Sequence, residues 1–190
     1  EWHVAATGCE PNDVDTIDLR IRRDGEVFDR GKYDCASDGI TLEEVPRDNY
    51  RIDAVGLGAG GETRFRARAT DITVQGEART EFVSLELSAL PASATVRWQF
   101  ANAQVCGTNG AERIRLTLFG PSGFSVWSAE RECPAGELII SEIPPGTYDL
   151  VARALDRQGA TRGQGTIEVQ FAPGGTHDVT VEVTAREPGE

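Results

Sequence analysis

The clearest chemical signal in this 190-residue chain is a repeated cysteine spacing: Cys9 and Cys35 stand 26 residues apart, Cys106 and Cys133 27 apart. Four cysteines allow three pairings, and only Cys9–Cys35 with Cys106–Cys133 treats the two halves of the chain alike. Two disulfides are therefore expected. The alternatives are buried free thiols or a four-cysteine zinc site, but zinc favours closely spaced C-x-x-C pairs and the chain has none. Beside Cys9, Glu10, Asp13 and Asp15 with Asn12 make an oxygen-rich loop that could hold calcium. It lacks EF-hand spacing, and the matching loop 107–112 keeps only Glu112 as an acid, so no metal and no cofactor are assigned. Arg64, Arg66 and Arg68 alternate as on one face of a strand, which would suit an anion or an acidic glycan; a solvated face paired with acids such as Asp18 is the simpler reading. Phe124 and Trp127 could stack on a sugar or seat a partner, against the simpler reading of core or edge packing.

Other chemistry is missing. His3 and His177 do not correspond between the halves, so there is no shared base, and no H-E-x-x-H, G-x-S-x-G, P-loop or catalytic-cysteine signature occurs. No enzymatic role is expected. The net charge of −12, divided as −8 over residues 1–90 and −4 over 91–190, argues against a phosphate backbone or an anionic membrane as partner, so no nucleic acid is expected. The glycines of 56–61 loosely resemble a dinucleotide fingerprint but open no helix and suit a hairpin tip.

The elements that must position these residues repeat as well. Trp2 matches Trp98, Ile17, Leu19 and Ile21 match Ile114, Leu116 and Leu118, Ile40 and Leu42 match Leu138 and Ile140, and Tyr50 matches Tyr148, at offsets of 96 to 98. Ile72 and Val74 are set against Ile167 and Val169 at offset 95. Both copies alternate apolar and polar residues with period two, as in Thr16 to Arg22 and Arg113 to Leu118, the signature of strands with one wet face. Turn residues punctuate them, as at Asp24-Gly25 and Pro121-Ser122-Gly123, and no helical stripe appears. The expected fold is all-β: two tandem homologous antiparallel β-sandwich domains, 1–90 and 91–190, each of about seven strands and each with its own disulfide.

Ile143-Pro144-Pro145-Gly146-Thr147-Tyr148-Asp149-Leu150 resembles the P-P-G-x-Y-x-[LV] signature of the carboxypeptidase-regulatory or transthyretin-like (immunoglobulin-like) sandwich family, and of the B-type repeats of bacterial surface adhesins. Val45-Pro46-Arg47-Asp48-Asn49-Tyr50 is its counterpart, with Asp48, a residue tolerant of left-handed geometry, in place of the glycine. The resemblance implies a stalk, spacer or adhesive module of secreted or lipid-anchored proteins, without catalytic residues. The isopeptide crosslink of some such repeats needs a lysine, and the chain has only Lys32.

With no methionine and no run of the ~20 apolar residues needed to span a bilayer, a removed signal peptide or lipoprotein leader is the simplest account of the chain. The expectation is a non-catalytic extracytoplasmic module of a bacterial surface or periplasmic lipoprotein, structural or binding a protein or a cell-surface glycan. The alternatives are a carbohydrate-binding module that uses the aromatics of domain 2, and accessory domains of a larger enzyme.

Overall fold

A computed structural model describes residues 1–75 and 80–186. The chain is all-β, its helix limited among those residues to three single turns of 3₁₀ at Glu10–Asn12, Cys35–Ser37 and Cys133–Ala135. No helix among them is long and apolar enough to cross a membrane. Two compact units form, Glu1–Leu90 and Pro91–Glu190.

In the first unit β1 (Trp2–Val4), β2 (Thr16–Arg23), β3 (Glu26–Asp34), β4 (Asp48–Leu57), β5 (Thr63–Val74) and β6 (Leu85–Ala89) pair in the order β1-β6-β5-β4-β2-β3. In the second, β7 (Ala92–Phe100), β8 (Arg113–Phe119), β9 (Ser125–Glu132), β10 (Glu137–Ile143), β11 (Gly146–Leu155), β12 (Thr161–Phe171) and β13 (Thr176–Ala185) pair as β10-β7-β13-β12-β11-β8-β9. Pairing is antiparallel except that the first and last strands of each unit run parallel: β1 with β6, and β7 with β13. The two layers of each sandwich touch edge to edge at one narrow corner, where β5 meets β6 only through Phe65–Ala89 and Arg66–Ser88, and β12 meets β13 only through Gly163–Ala185 and Gln164–Thr184. Gly163 is required there, since a Cβ would lie 2.7 Å from the Thr184 carbonyl oxygen.

The alternation works as the residues dictate. Ile17, Leu19 and Ile21 of β2, and Ile114, Leu116 and Leu118 of β8, turn one face into the core. In the first unit they meet Trp2, Val4, Phe65 and Leu87; in the second they meet Val96, Ile140, Leu150, Phe171 and Val181. Each such side chain contributes about 1.5–3 kcal/mol by leaving water.

Identical buried hydrogen bonds fix both units. The indole N–H of Trp2 donates to the Cys35 carbonyl at 2.9 Å, and that of Trp98 to the Cys133 carbonyl at 2.9 Å. The Cys35 N–H donates to the Asp15 carbonyl and the Cys133 N–H to the Glu112 carbonyl, each at 2.8 Å. The tyrosine turn is equally conserved between copies: the Tyr50 hydroxyl donates to the Pro46 carbonyl at 2.8 Å, and Tyr148 to Pro144 at 2.9 Å. Left-handed backbone recurs at Ala5 and Ala103, Asp13 and Gly110, Asp38 and Gly136, and Glu44 and Glu142. Alanine and glutamate gain nothing locally from that geometry, so the surrounding fold imposes it. Asp48, by contrast, does not adopt the left-handed conformation its alignment with a glycine suggested; it pairs in register at the start of β4.

Two features depart from the sequence reading. Six strands, not seven, form in the first unit among the described residues, because 39–45, the counterpart of β10, stays irregular. β10 pairs with Ala92–Arg97, the first half of β7, whereas no such pairing forms for 39–45 among the described residues. In addition, β5 carries a bulge opposite Tyr50–Ile52 with Asp71 left-handed. The bulge shifts the alignment: Tyr50 faces Ile72 as Tyr148 faces Val169, so Ile72 matches Val169 rather than Ile167.

Candidate functional site

Both disulfides form as paired by the repeat, with Cα–Cα separations of 6.0 Å for Cys9–Cys35 and 5.9 Å for Cys106–Cys133. Cys35 and Cys133 are fully buried beneath the tryptophans, which makes the bridges structural.

The acidic loop beside Cys9 is not gathered into a metal centre. Glu10, Asp13 and Asp15 are exposed, and no three His, Cys, Asp or Glu side chains converge among the described residues. Asp13 instead bonds to Arg64 at 3.0 Å, and the Asn12 amide donates to Thr7 Oγ1 at 2.9 Å and the Gly8 carbonyl at 2.7 Å, stapling the loop to itself. His3 is exposed beside Glu1; His177 packs edge-on against Phe171 and its Nε2 accepts the Ala172 N–H.

The aromatic pair of the second unit is split. Phe124 is 76% exposed in the turn before β9, whereas Trp127 packs against the core and is half-buried. A flat platform of two rings is not present at this place.

The arginines of β5 are also split. Arg64 lies with its side chain 15% exposed, bound to Glu62 at 2.6 Å as well as to Asp13. Its counterpart Arg162 does the same work, gripping Asp156 at 2.6 Å across the matching hairpin. The tip closes identically in both copies, Gly58 N–H to the Glu62 carbonyl and Asp156 N–H to the Ala160 carbonyl, so the glycine run is a hairpin. The carboxylate comes from the last position of the tip in one copy and the first in the other. Burial pushes the Asp156 carboxyl up, but the N–H groups of Ala160 and Gln158 and the Arg162 guanidinium outweigh it and hold it below its ordinary range. The Arg64 bond lowers Glu62 in the same way. Arg64 is thus a hairpin clamp and not a free contact.

Arg66 and Arg68 belong to a larger surface that the sequence reading did not assemble. The cross-strand register sets Lys32, Asp18, Val55 and Arg66 in one row of the outer sheet face, and Arg30, Arg20, Asp53 and Arg68 in the next, with Arg22 opposite Arg51 beyond them. These three rows set seven cations against two acids in a chain whose net charge is −12. The face is concave, an open groove of about 670 Å³.

Its acids are outnumbered and shared. Asp53 accepts from Arg68 Nε at 2.6 Å on one oxygen and from Arg51 at 3.1 Å on the other, with Arg22 Nε a further 3.6 Å away. Burial raises the Asp53 carboxyl, but Arg68 and Arg51 prevail and keep it below the usual carboxylate range. Asp18, expected as a partner of the β5 arginines, lies instead between Arg30 at 3.5 Å and Arg20 at 3.8 Å. Its side chain is only 10% exposed, and its Oδ1 and the Arg22 Nε are buried without any hydrogen-bond partner. Such atoms cost about 1–3 kcal/mol each unless something occupies the groove. The pattern Asp18, Arg20, Arg22 alternating with Ile17, Leu19, Ile21 was visible in the sequence; that β2, β4 and β5 would bring it beside Asp53 and Arg66 was not.

The second unit does not repeat this face. Arg115, Thr117, Phe119, Val151, Gln164 and Thr166 stand at the places of Asp18, Arg20, Arg22, Asp53, Arg66 and Arg68.

No protein-family model matches the chain, and no curated protein matches it. Among solved structures, similar ones include the TIE protein of Bacillus anthracis (10% identity, TM-score 0.44, 97% of this chain and 33% of that one) and the major pilin subunit BcpA of Bacillus cereus (11%, 0.38, 90% and 61%). A third is a single B repeat unit of the collagen-binding surface protein of Staphylococcus aureus (10%, 0.27, 97% and 93%). The chain spans about a third and about three fifths of the first two in length. At TM-scores below 0.5 these likenesses decide neither partner nor role, which leaves the side chains of this chain to do so.

Proposed function

We propose that the chain is a non-catalytic, extracytoplasmic binding module of two domains, 1–90 and 91–190, belonging to a bacterial surface or periplasmic protein and binding through the outer face of its first unit. The observation that carries this reading is the contrast between the copies. Core, disulfide, tryptophan bond and tyrosine turn are kept in both, while the outer faces of equivalent strands differ at almost every position. A scaffold held constant under a face that changes is how a binding surface is built on a stable fold. The tyrosine turn supports kinship with the carboxypeptidase-regulatory or transthyretin-like sandwiches, and a lipid anchor would suit such a module.

Two observations support the rest of the reading. Disulfides such as these two form and persist in oxidising compartments and are rare in the cytosol. The carboxylates with shifted proton affinity, Asp53, Glu62, Glu130 and Asp156, are all lowered, whereas a general acid working near neutral pH needs a raised one.

Fractionation of the native host followed by a non-reducing peptide map tests the compartment. Both bridges intact in envelope or secreted material is the expected result; free thiols on a cytoplasmic chain would overturn it.

A further inference from the structure

The outer groove of the first unit combines features that define its ligand. We propose that it binds an acidic polysaccharide whose sugar residues carry carboxylates, a uronate-type chain, with Arg20, Arg66 and Arg68 facing the carboxylates and Asp18 Oδ1 accepting a sugar hydroxyl. This rests on the reading of the chain as a non-catalytic binding module and gives that module a ligand.

Charge selects an anion: the rows around Val55 and Asp53 carry a surplus of cations, and the two acids in them, Asp18 and Asp53, are already shared among arginines. No carboxylate among the described residues lies within 4.0 Å of Arg66, while Arg20 has only the long 3.8 Å contact to Asp18. Those guanidinium groups are available for bidentate capture of a carboxylate. Charge alone would accept any polyanion. The buried, unpartnered Asp18 Oδ1 excludes ligands that bring only anionic oxygens, because it needs a donor, and the orphaned Arg22 Nε, two rows further along β2, needs an acceptor. A uronate chain supplies both, hydroxyl donors and carboxylate acceptors on successive rings. Between Asp18 and Arg66 the floor of the groove is Val55, with Leu57 next on the same face, an apolar strip against which the C–H face of a sugar ring can lie. Arg66 and Arg68 stand about 6.8 Å apart along β5, and Arg20 lies two strands, about 9.6 Å, from Arg68, spacings of the order of one to two sugar residues. A regular polymer can therefore meet several of them in succession, and the rigid sheet pays little ordering entropy to receive it.

The second unit supplies substitutions compatible with this fold, Gln164 for Arg66 and Thr166 for Arg68. Calorimetric titration of the full, disulfide-intact chain with polygalacturonate should show binding that weakens as salt rises. The double variant Arg66→Gln, Arg68→Thr should bind at least tenfold more weakly with unchanged near-ultraviolet circular dichroism. Arg153→Gln, on the exposed surface of the second unit, should bind as the parent does. Neutral dextran and poly-L-glutamate should not bind. No binding of polygalacturonate, or binding indifferent to the double variant, overturns the proposal, and equal binding of poly-L-glutamate replaces the glycan by an acidic protein segment. Release of new reducing ends during the titration would instead overturn the non-catalytic reading while leaving the site in place.

Discussion

Residues that matter most to this protein fall into two groups, those kept between the copies and those not. Trp2 and Trp98 belong to the first. Each indole donates to a buried half-cystine carbonyl at 2.9 Å, and phenylalanine in its place would leave that carbonyl only the long 3.3 Å bond from the N–H of Asp38 or Gly136. Trp98→Phe should cost about 0.5–1.5 kcal/mol in chemical denaturation, and Trp2→Phe a similar amount, since the bonds are the same. Asp156 makes a statement about pH. Its folded-state affinity for a proton is lowered by N–H donors and Arg162, so its stabilising contribution is fully present above the ordinary aspartate value and is lost as pH falls through the lower folded one. Asp53 and Glu130 act in the same sense. Thermal midpoints should be nearly constant from about pH 7 to pH 5 and fall below that, and Asp156→Asn should flatten part of the acid limb.

At the scale of elements, much was legible because a duplicated sequence is its own alignment. Two matching cysteine pairs specified the bridges, Tyr50 and Tyr148 marked the turn into a strand, and alternation separated inner from outer faces in β2 and β8. What stayed hidden depends on partners. The irregular course of 39–45 could not be read from Ile40 and Leu42, which alternate as Leu138 and Ile140 do, because alternation alone does not show which strands pair. Leu42 is accordingly 36% exposed, against 2% for Ile140. Ile140→Ala should cost about 2–5 kcal/mol and Leu42→Ala under ~1 kcal/mol, measured by the shift in denaturant midpoint. The β5 bulge was hidden for a related reason, since a single extra residue next to a left-handed Asp71 leaves the alternation on either side intact. Direction was hidden too: nothing in Trp2–Val4 or Leu85–Ala89 announces that they pair in parallel. The site suffered most. Arg64, Arg66 and Arg68 read as one stripe, and only their neighbours across the sheet separate the hairpin clamp Arg64 from the open groove around Arg66 and Arg68.

For the molecule as a whole, duplication divides the labour. One fold, stabilised twice by the same bridge and the same buried bonds, presents in its first copy an arginine-lined groove and in its second a face of mixed residues, Arg115, Thr117, Phe119, Val151 and Gln164 among them. On a chain of net charge −12, these arginine-rich rows are where the proposed ligand, a polyanion, is drawn in. The measurement that tests this most directly is a titration of the isotope-labelled full chain with polygalacturonate, followed through its backbone amide resonances. The account predicts shifts confined to β2, β4 and β5 around Asp18, Asp53 and Arg66, with the second unit silent. Shifts centred on Phe124 and Trp127, or no shifts at all, would contradict it.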